Sequence, residues 1–128
     1  ANEPDIAYPY LFSYFKGEEW RTSKIVSDLL DKHYTTRPDG IPGNDDTGTM
    51  SAWAVFSMMG FYPDCPGHPS YTLTTPRFDR VELPDGTVIT KKGDGNIKTI
   101  TLSGKRHNAY RISHDALTGS DIHFNCMK

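Results

Sequence analysis

The sequence predicts an α+β chain, with helices in the first half and short strands in the second. Between Glu18 and Met59 apolar residues recur at helical spacing, whereas after Tyr71 they come in brief runs rich in β-branched residues and bounded by turn formers. The change falls in the turn-rich stretch from Tyr62 to Ser70. It places a helical unit over residues 1–69 and a small antiparallel β unit over residues 70–128, with the boundary near Pro69. At 128 residues the chain fits one ordinary domain with a modest core.

In the opening segment Pro9 suits a first helical turn, because its missing N–H would be unpaired there, and YLFSYFK follows as a short helix to Gly17. Glu18 to Tyr34 reads as an amphipathic helix. Ile25, Val26, Leu29, Leu30, His33 and Tyr34 make one stripe, and Lys24, Ser27, Asp28, Asp31 and Lys32 the wet face, with Asp28 and Lys32 one helical turn apart. Thr49 to Met59 is different: Ala52, Val55, Phe56 and Met59 fill one side and Met50, Trp53 and Met58 much of the other. A helix apolar nearly all round is a buried one, and too little chain is present to surround it, so something further is expected to cover it. Gly60 is placed to end it in a left-handed cap.

The expected strands are YTLTT, FDRVEL, TVIT, NIKTITL, AYRIS and DIHFN. Pro84-Asp85-Gly86 and Gly93-Asp94-Gly95-Asn96 read as hairpin connections, since Gly and Asn accept positive φ at little cost.

Composition narrows the function classes. A net charge of −2 offers no basic footprint for nucleic acid or anionic lipid, and the longest apolar runs are about five residues, far short of the ~20 that span a bilayer. The chain opens at Ala1 in a charged, proline-containing stretch, which reads as an internal piece of a longer protein. Cys65 and Cys126 form no CxxC, leaving two thiols or a single disulfide as the alternatives. His33, His68, His107, His114 and His123 show no HxxxH or HExxH spacing for a metal. Trp20 and Trp53 could stack on a sugar ring, but Trp53 lies within the buried-helix pattern and reads as core.

The segment PDGIPGNDDTGTM sets Asp45 and Asp46 in a glycine-rich loop immediately ahead of the apolar helix. The free N–H groups and dipole of a helix start stabilise negative charge, which suits a general base or a cation ligand and not a general acid. The competing reading is structural: Asp, Asn and Thr before a helix are also what an N-cap requires, and Gly40, Gly43 and Gly48 then only serve turns. The spacing of Asp39, Asn44, Asp45 and Asp46 does not match a calcium-binding EF-hand loop.

GIPGNDDTGTMSAWAVFSMMGFYPDCPG resembles the signature G-[ND]-[DE]-D-x-G-Q-M-S-A-W followed by G-F/L-Y-P-x-x-P-G of glycoside hydrolase family 92, the calcium-dependent exo-α-mannosidases. NEPDIAYPYLFSYFKGEEWRT, YTLTTPRFD and RISHDALTGSDIHF resemble further motifs of that family in the same order, so the resemblance covers nearly the whole chain. It implies the C-terminal helices of an (α/α)6 barrel followed by the β unit, with Thr49 to Met59 in the inner ring of helices. The rest of the barrel would then supply the missing cover.

The resemblance also implies inverting hydrolysis of terminal mannose, of an α-1,2 type, from a mannose-containing glycan. Inversion needs an acid and a base carboxyl roughly 6.5 to 9.5 Å apart. On this implication Asp46 is the general base, Asn44 helps hold the attacking water, and Asp45 and Glu3 contact substrate. Asn2 and Glu3 contribute to calcium or sugar binding, a helix-start role for Asn2, Glu3 and Pro4 being the alternative. The proton-donating Glu belongs to a motif outside this chain, so the chain alone is expected to be inactive, and the whole enzyme to be periplasmic, surface-anchored or secreted. Two departures from the pattern bear on substrate contacts: Thr49 stands where the family usually has Gln, and Ile6 and Ala7 where many relatives carry His. The stretch from Glu82 to Ile97 is also short for the family. A non-catalytic glycan- or partner-binding module, or an incomplete structural fragment, is the rival reading.

Overall fold

The computed structural model describes residues 2–128. A turn of 3-10 helix over Glu3–Asp5 leads into a 3-10 helix over Tyr8–Tyr14, then α1 (Glu19–His33) and α2 (Thr49–Met59). The short helix expected after Pro9 is present, as a 3-10 helix that ends at Tyr14 rather than Gly17. It has only seven residues, and short helices favour i→i+3 bonds such as that from the Phe15 N–H to the Phe12 carbonyl at 3.1 Å. Its anchor is Tyr10, fully buried, whose hydroxyl shares a 2.7 Å hydrogen bond with Ser57 of α2.

α1 buries Thr22, Ser23, Val26 and Leu30. This face is rotated from the expected stripe, because Ile25 and Leu29 are only half-buried and His33 is exposed. Asp28 pairs with Lys24 at 2.6 Å rather than with Lys32, an exposed pair that solvent screens and that adds little to stability. α2 buries Met50, Trp53, Ala54 and Ser57, while Val55 remains 55% exposed, so the chain covers one side of this helix and leaves the other open. Trp53 is core, stacked on Tyr34 at 5.7 Å and donating its indole N–H to the Ile6 carbonyl at 3.0 Å.

Gly60 caps α2 at φ 93°, as expected, and for a second reason as well. A Cβ there would lie 2.6 Å from Pro76 Cγ and 2.9 Å from the Thr74 carbonyl oxygen. Gly60→Ala combines left-handed strain with that clash and should cost about 2 kcal/mol or more, readable as a lowered denaturant midpoint with an unchanged slope.

Eight strands follow: β1 (Phe61–Tyr62), β2 (Ser70–Leu73), β3 (Arg80–Glu82), β4 (Val88–Lys92), β5 (Asn96–Leu102), β6 (Lys105–His107), β7 (Arg111–Ser113) and β8 (Asp121–Met127), with a one-turn helix α3 (His114–Leu117) before the last. They form two sheets, β1-β2-β7 and β3-β4-β8-β5-β6. All pairings are antiparallel except β4 with β8. β1 lies before Pro69, so the first sheet begins within the helical half.

The glycine-rich turn after β4 is not a hairpin. β8 runs between β4 and β5, and its end presses on that turn: Cβ atoms at Gly93 and Gly95 would meet the Cys126 and Met127 carbonyl oxygens at 2.3 and 2.8 Å. A true two-residue hairpin joins β5 to β6, through Ser103 and Gly104 at φ 47° and 81°. The two thiols are free, Cys65 exposed and Cys126 buried.

Two apolar clusters hold these parts together. Ile89, Ile97, Ile100, Ile112, Leu117, Ile122 and Phe124 centre the β side, and Tyr10, Val26, Leu30, Trp53, Ala54 and Tyr62 centre the helical side. Phe56 touches both. The observed class is α+β, as the sequence predicts.

Candidate functional site

The acidic loop reaches α2 through three successive residues in left-handed backbone: Asp46 at φ 50°, Thr47 at φ 61° and Gly48, the N-cap, at φ 94°. Only glycine adopts this conformation freely, and each of the other two costs about 1–2 kcal/mol. Hydrogen bonds on both sides hold it. The Asp46 carbonyl accepts from the Thr49 N–H at 3.2 Å and from the Thr49 hydroxyl at 2.8 Å. The Asp45 carbonyl accepts from the Met50 N–H at 3.1 Å, and the Gly48 carbonyl from the Ala52 N–H at 2.9 Å.

The two carboxylates divide between the two readings of the sequence. Asp45 Oδ1 accepts the Ser51 N–H at 2.8 Å and so satisfies one of the free amides of the α2 start. Asp46, half-buried, makes no side-chain hydrogen bond or ion pair among the described residues. Asp45, three residues ahead of the N-cap Gly48, therefore supplies the capping acceptor, and the carboxylate of Asp46 is left without a partner among the described residues. Asp45→Ala should lower stability by about 1 kcal/mol, checked by chemical denaturation.

Asn44 is exposed in the same loop. Asn2 Oδ1 accepts the Glu3 N–H at 3.0 Å and caps the first 3-10 turn, with Pro4 in that turn and Glu3 exposed. The helix-start role weighed for this triplet is thus seen directly. Asn2 also lines a cavity of about 370 Å³ together with Tyr8, Tyr34, Met50 and Trp53, which brings the N-terminal turn alongside the first turn of α2. Burial pushes the Tyr34 phenol above its ordinary range, and the nearby Asp45 charge adds to this. The N-terminal turn therefore lies beside the start of α2, but Asn44, Asp45 and Asp46 are not among the residues that line this cavity. Among the described residues no group of three or more His, Cys, Asp or Glu is arranged to hold a metal.

At the other end of α2 stands a polar cluster that sequence reading missed. Asp64, whose side chain is 2% exposed, faces Arg111 through two contacts of 3.3 Å. It also accepts from Tyr14 at 2.6 Å and Thr72 at 2.7 Å, and the Arg111 guanidinium lies 4.6 Å above the Tyr14 ring. Burial alone would raise the Asp64 carboxyl. The bonds from Thr72, Tyr14 and Arg111, with the Arg111 charge, outweigh it and hold the group below the usual carboxylate range. The only sequence signal was the Pro63-Asp64 turn, which says nothing of a strand residue 47 positions away.

Residues 1–128 match the glycosyl hydrolase family 92 catalytic domain along their whole length. That match defines the chain as catalytic-domain sequence of a glycoside hydrolase. It belongs to glycosyl hydrolase family 92. A family GH92 alpha-mannosidase of Bacteroides thetaiotaomicron, solved in complex with mannoimidazole, superposes with TM-score 0.86 at 30% identity, covering 97% of this chain and 17% of its own. A family GH92 inverting mannosidase of the same species superposes with TM-score 0.79 at 32% identity, over 97% of this chain and 18% of its own. An uncharacterized secreted glycosidase of Arthroderma benhamiae is 29% identical over 94% of this chain and 15% of its own length. The chain thus spans less than a fifth of each of these relatives. No helix among the described residues is long and apolar enough to cross a membrane.

Proposed function

We propose that this chain supplies the general-base segment of an inverting α-mannosidase that removes terminal mannose, of an α-1,2 type, from glycans. The observation that carries this reading is the free carboxylate of Asp46, held in left-handed backbone while its neighbour Asp45 does the capping. Family membership supports the reaction class, and the relatives described as mannosidases support the sugar.

In this mechanism Asp46 accepts a proton from a water that Asn44 helps to hold. The water oxygen attacks the anomeric carbon from the face opposite the leaving group, which departs with a proton from a carboxylic acid outside this chain. The two carboxyl groups of an inverting pair stand roughly 6.5 to 9.5 Å apart, leaving room for that water. Without its acid partner the isolated chain is inactive. Asp45 and Glu3 lie nearest the substrate hydroxyls in this reading, Asp45 through the oxygen its cap leaves free.

Calcium belongs to the proposal in a limited sense. The exposed Glu3 carboxylate and the second lone pair of Asn2 Oδ1 are hard oxygen donors of the right kind, but six to eight are needed, so a site would be completed by residues outside this chain. Bound there, the ion would polarise sugar hydroxyls. The open side of α2 at Val55, with exposed Tyr8, Leu11 and Phe15, fits the remaining helices of an (α/α)6 barrel. The secreted relative supports a periplasmic, surface-anchored or secreted enzyme. The test is turnover of a terminal α-mannoside by the full-length enzyme carrying Asp46→Asn.

A further inference from the structure

The backbone that presents Asp46 is unfavourable by itself, and one side chain grips it. Asp46 and Thr47 are the non-glycine residues in left-handed conformation ahead of α2, and the peptide carbonyl between them is the acceptor for both the N–H and the hydroxyl of Thr49. The N–H bond is available to any residue at that position. The hydroxyl bond, at 2.8 Å, is not: it needs a short side chain carrying a donor on its second atom, which Ser and Thr supply.

We propose that Thr49 is a positioning residue for catalysis, its hydroxyl fixing the Asp46–Thr47 peptide so that the Asp46 carboxylate stays aimed at the attacking water. The inference rests on Asp46 being the base. Three details agree with it. Thr49 is the first residue of α2, so its backbone is tied to a rigid element. Its side chain is half-buried, which limits competition from solvent for the bond. Among the described residues Asp46 has no side-chain partner, leaving the orientation of its carboxylate to the peptide that follows. β-Branching adds to the effect by restricting χ1, so the hydroxyl loses little freedom on bonding.

The experiment compares Thr49→Val and Thr49→Ser with wild type in the full-length enzyme, reading kcat, KM and the acid limb of the kcat/KM pH profile on a terminal α-mannoside, with thermal melting in parallel. Thr49→Val keeps the shape and β-branching and removes the bond. It should lower kcat about tenfold to a hundredfold with KM changed less than about threefold, as a small misplacement of a catalytic group does. Thr49→Ser restores the hydroxyl and should recover most of kcat. Two results overturn the inference: a folded Thr49→Val enzyme with wild-type kcat, or a Thr49→Ser enzyme as impaired as the valine variant. If Asp46→Asn itself retains wild-type turnover, the base assignment fails, and this inference fails with it. A dead Asp46→Asn enzyme beside a fully active Thr49→Val removes the positioning role alone.

Discussion

Replacing Asp46 by Asn in the full-length enzyme should reduce kcat by about a hundredfold to ten-thousandfold, the range that general-base assistance supplies. Asn preserves size and polarity but cannot take a proton from water. Stability should hardly change. Among the described residues the Asp46 carboxylate makes no hydrogen bond, and the contacts that shape the loop run to its carbonyl, which Asn retains. Asn also tolerates left-handed backbone at least as well as Asp. The measurement is therefore a pair, steady-state kinetics and thermal melting, and the expected pattern is lost turnover in a protein that melts with wild type. A variant that turns over normally would remove Asp46 from the mechanism. The contrasting variant is Asp45→Ala, which should lose about 1 kcal/mol of stability through its missing cap.

Replacing Asp64 by Ala should cost about 3 kcal/mol of stability. Arg111 would lose both contacts to a carboxylate, Tyr14 and Thr72 would each lose an acceptor, and the cluster lies where the helical half meets the β half. The cost is no larger because the Arg111 side chain, 30% exposed, can still reach water. Asp64→Asn separates charge from shape. The folded-state pKa of Asp64 lies below its ordinary value, so its contribution is complete above about pH 4 and is lost as pH falls through the folded pKa. The difference in urea midpoint between wild type and Asp64→Asn should accordingly be constant from neutral pH to about pH 4 and shrink below it. A difference that stays level down to pH 2 would show that the charge contributes nothing. In a double-mutant cycle with Arg111→Gln the combined loss should be smaller than the sum of the two single losses.

Much of the layout was legible because it depends on neighbours in sequence. α2 is bounded by two glycines in left-handed conformation, and its interior contains no breaker, so both ends can be read from the chain to within a residue. α1 likewise runs Glu19–His33 against the Glu18 to Tyr34 that periodicity marks. What periodicity could not give was which part of a broad apolar stripe faces inward: Thr22 and Ser23 are buried and His33 is not, because the partner surface includes the polar Thr75 segment, whose N–H donates to Ser23 Oγ at 3.1 Å. In the acidic loop, the two carboxylates look alike in sequence. Their separation into a cap and a free group follows from a backbone path that only coordinates display.

Residue order by itself determined the α+β class, the extent of the two main helices and the glycine cap at position 60, since each follows from local propensity, periodicity or capping. Only the tertiary structure decided that β8 enters between β4 and β5, that Asp64 finds Arg111, and that Thr49 grips the peptide after Asp46. The first two pair groups dozens of residues apart, and their partners are selected by burial and backbone hydrogen bonding when the chain condenses. The third turns on a φ of about +50° that no non-glycine residue announces in advance.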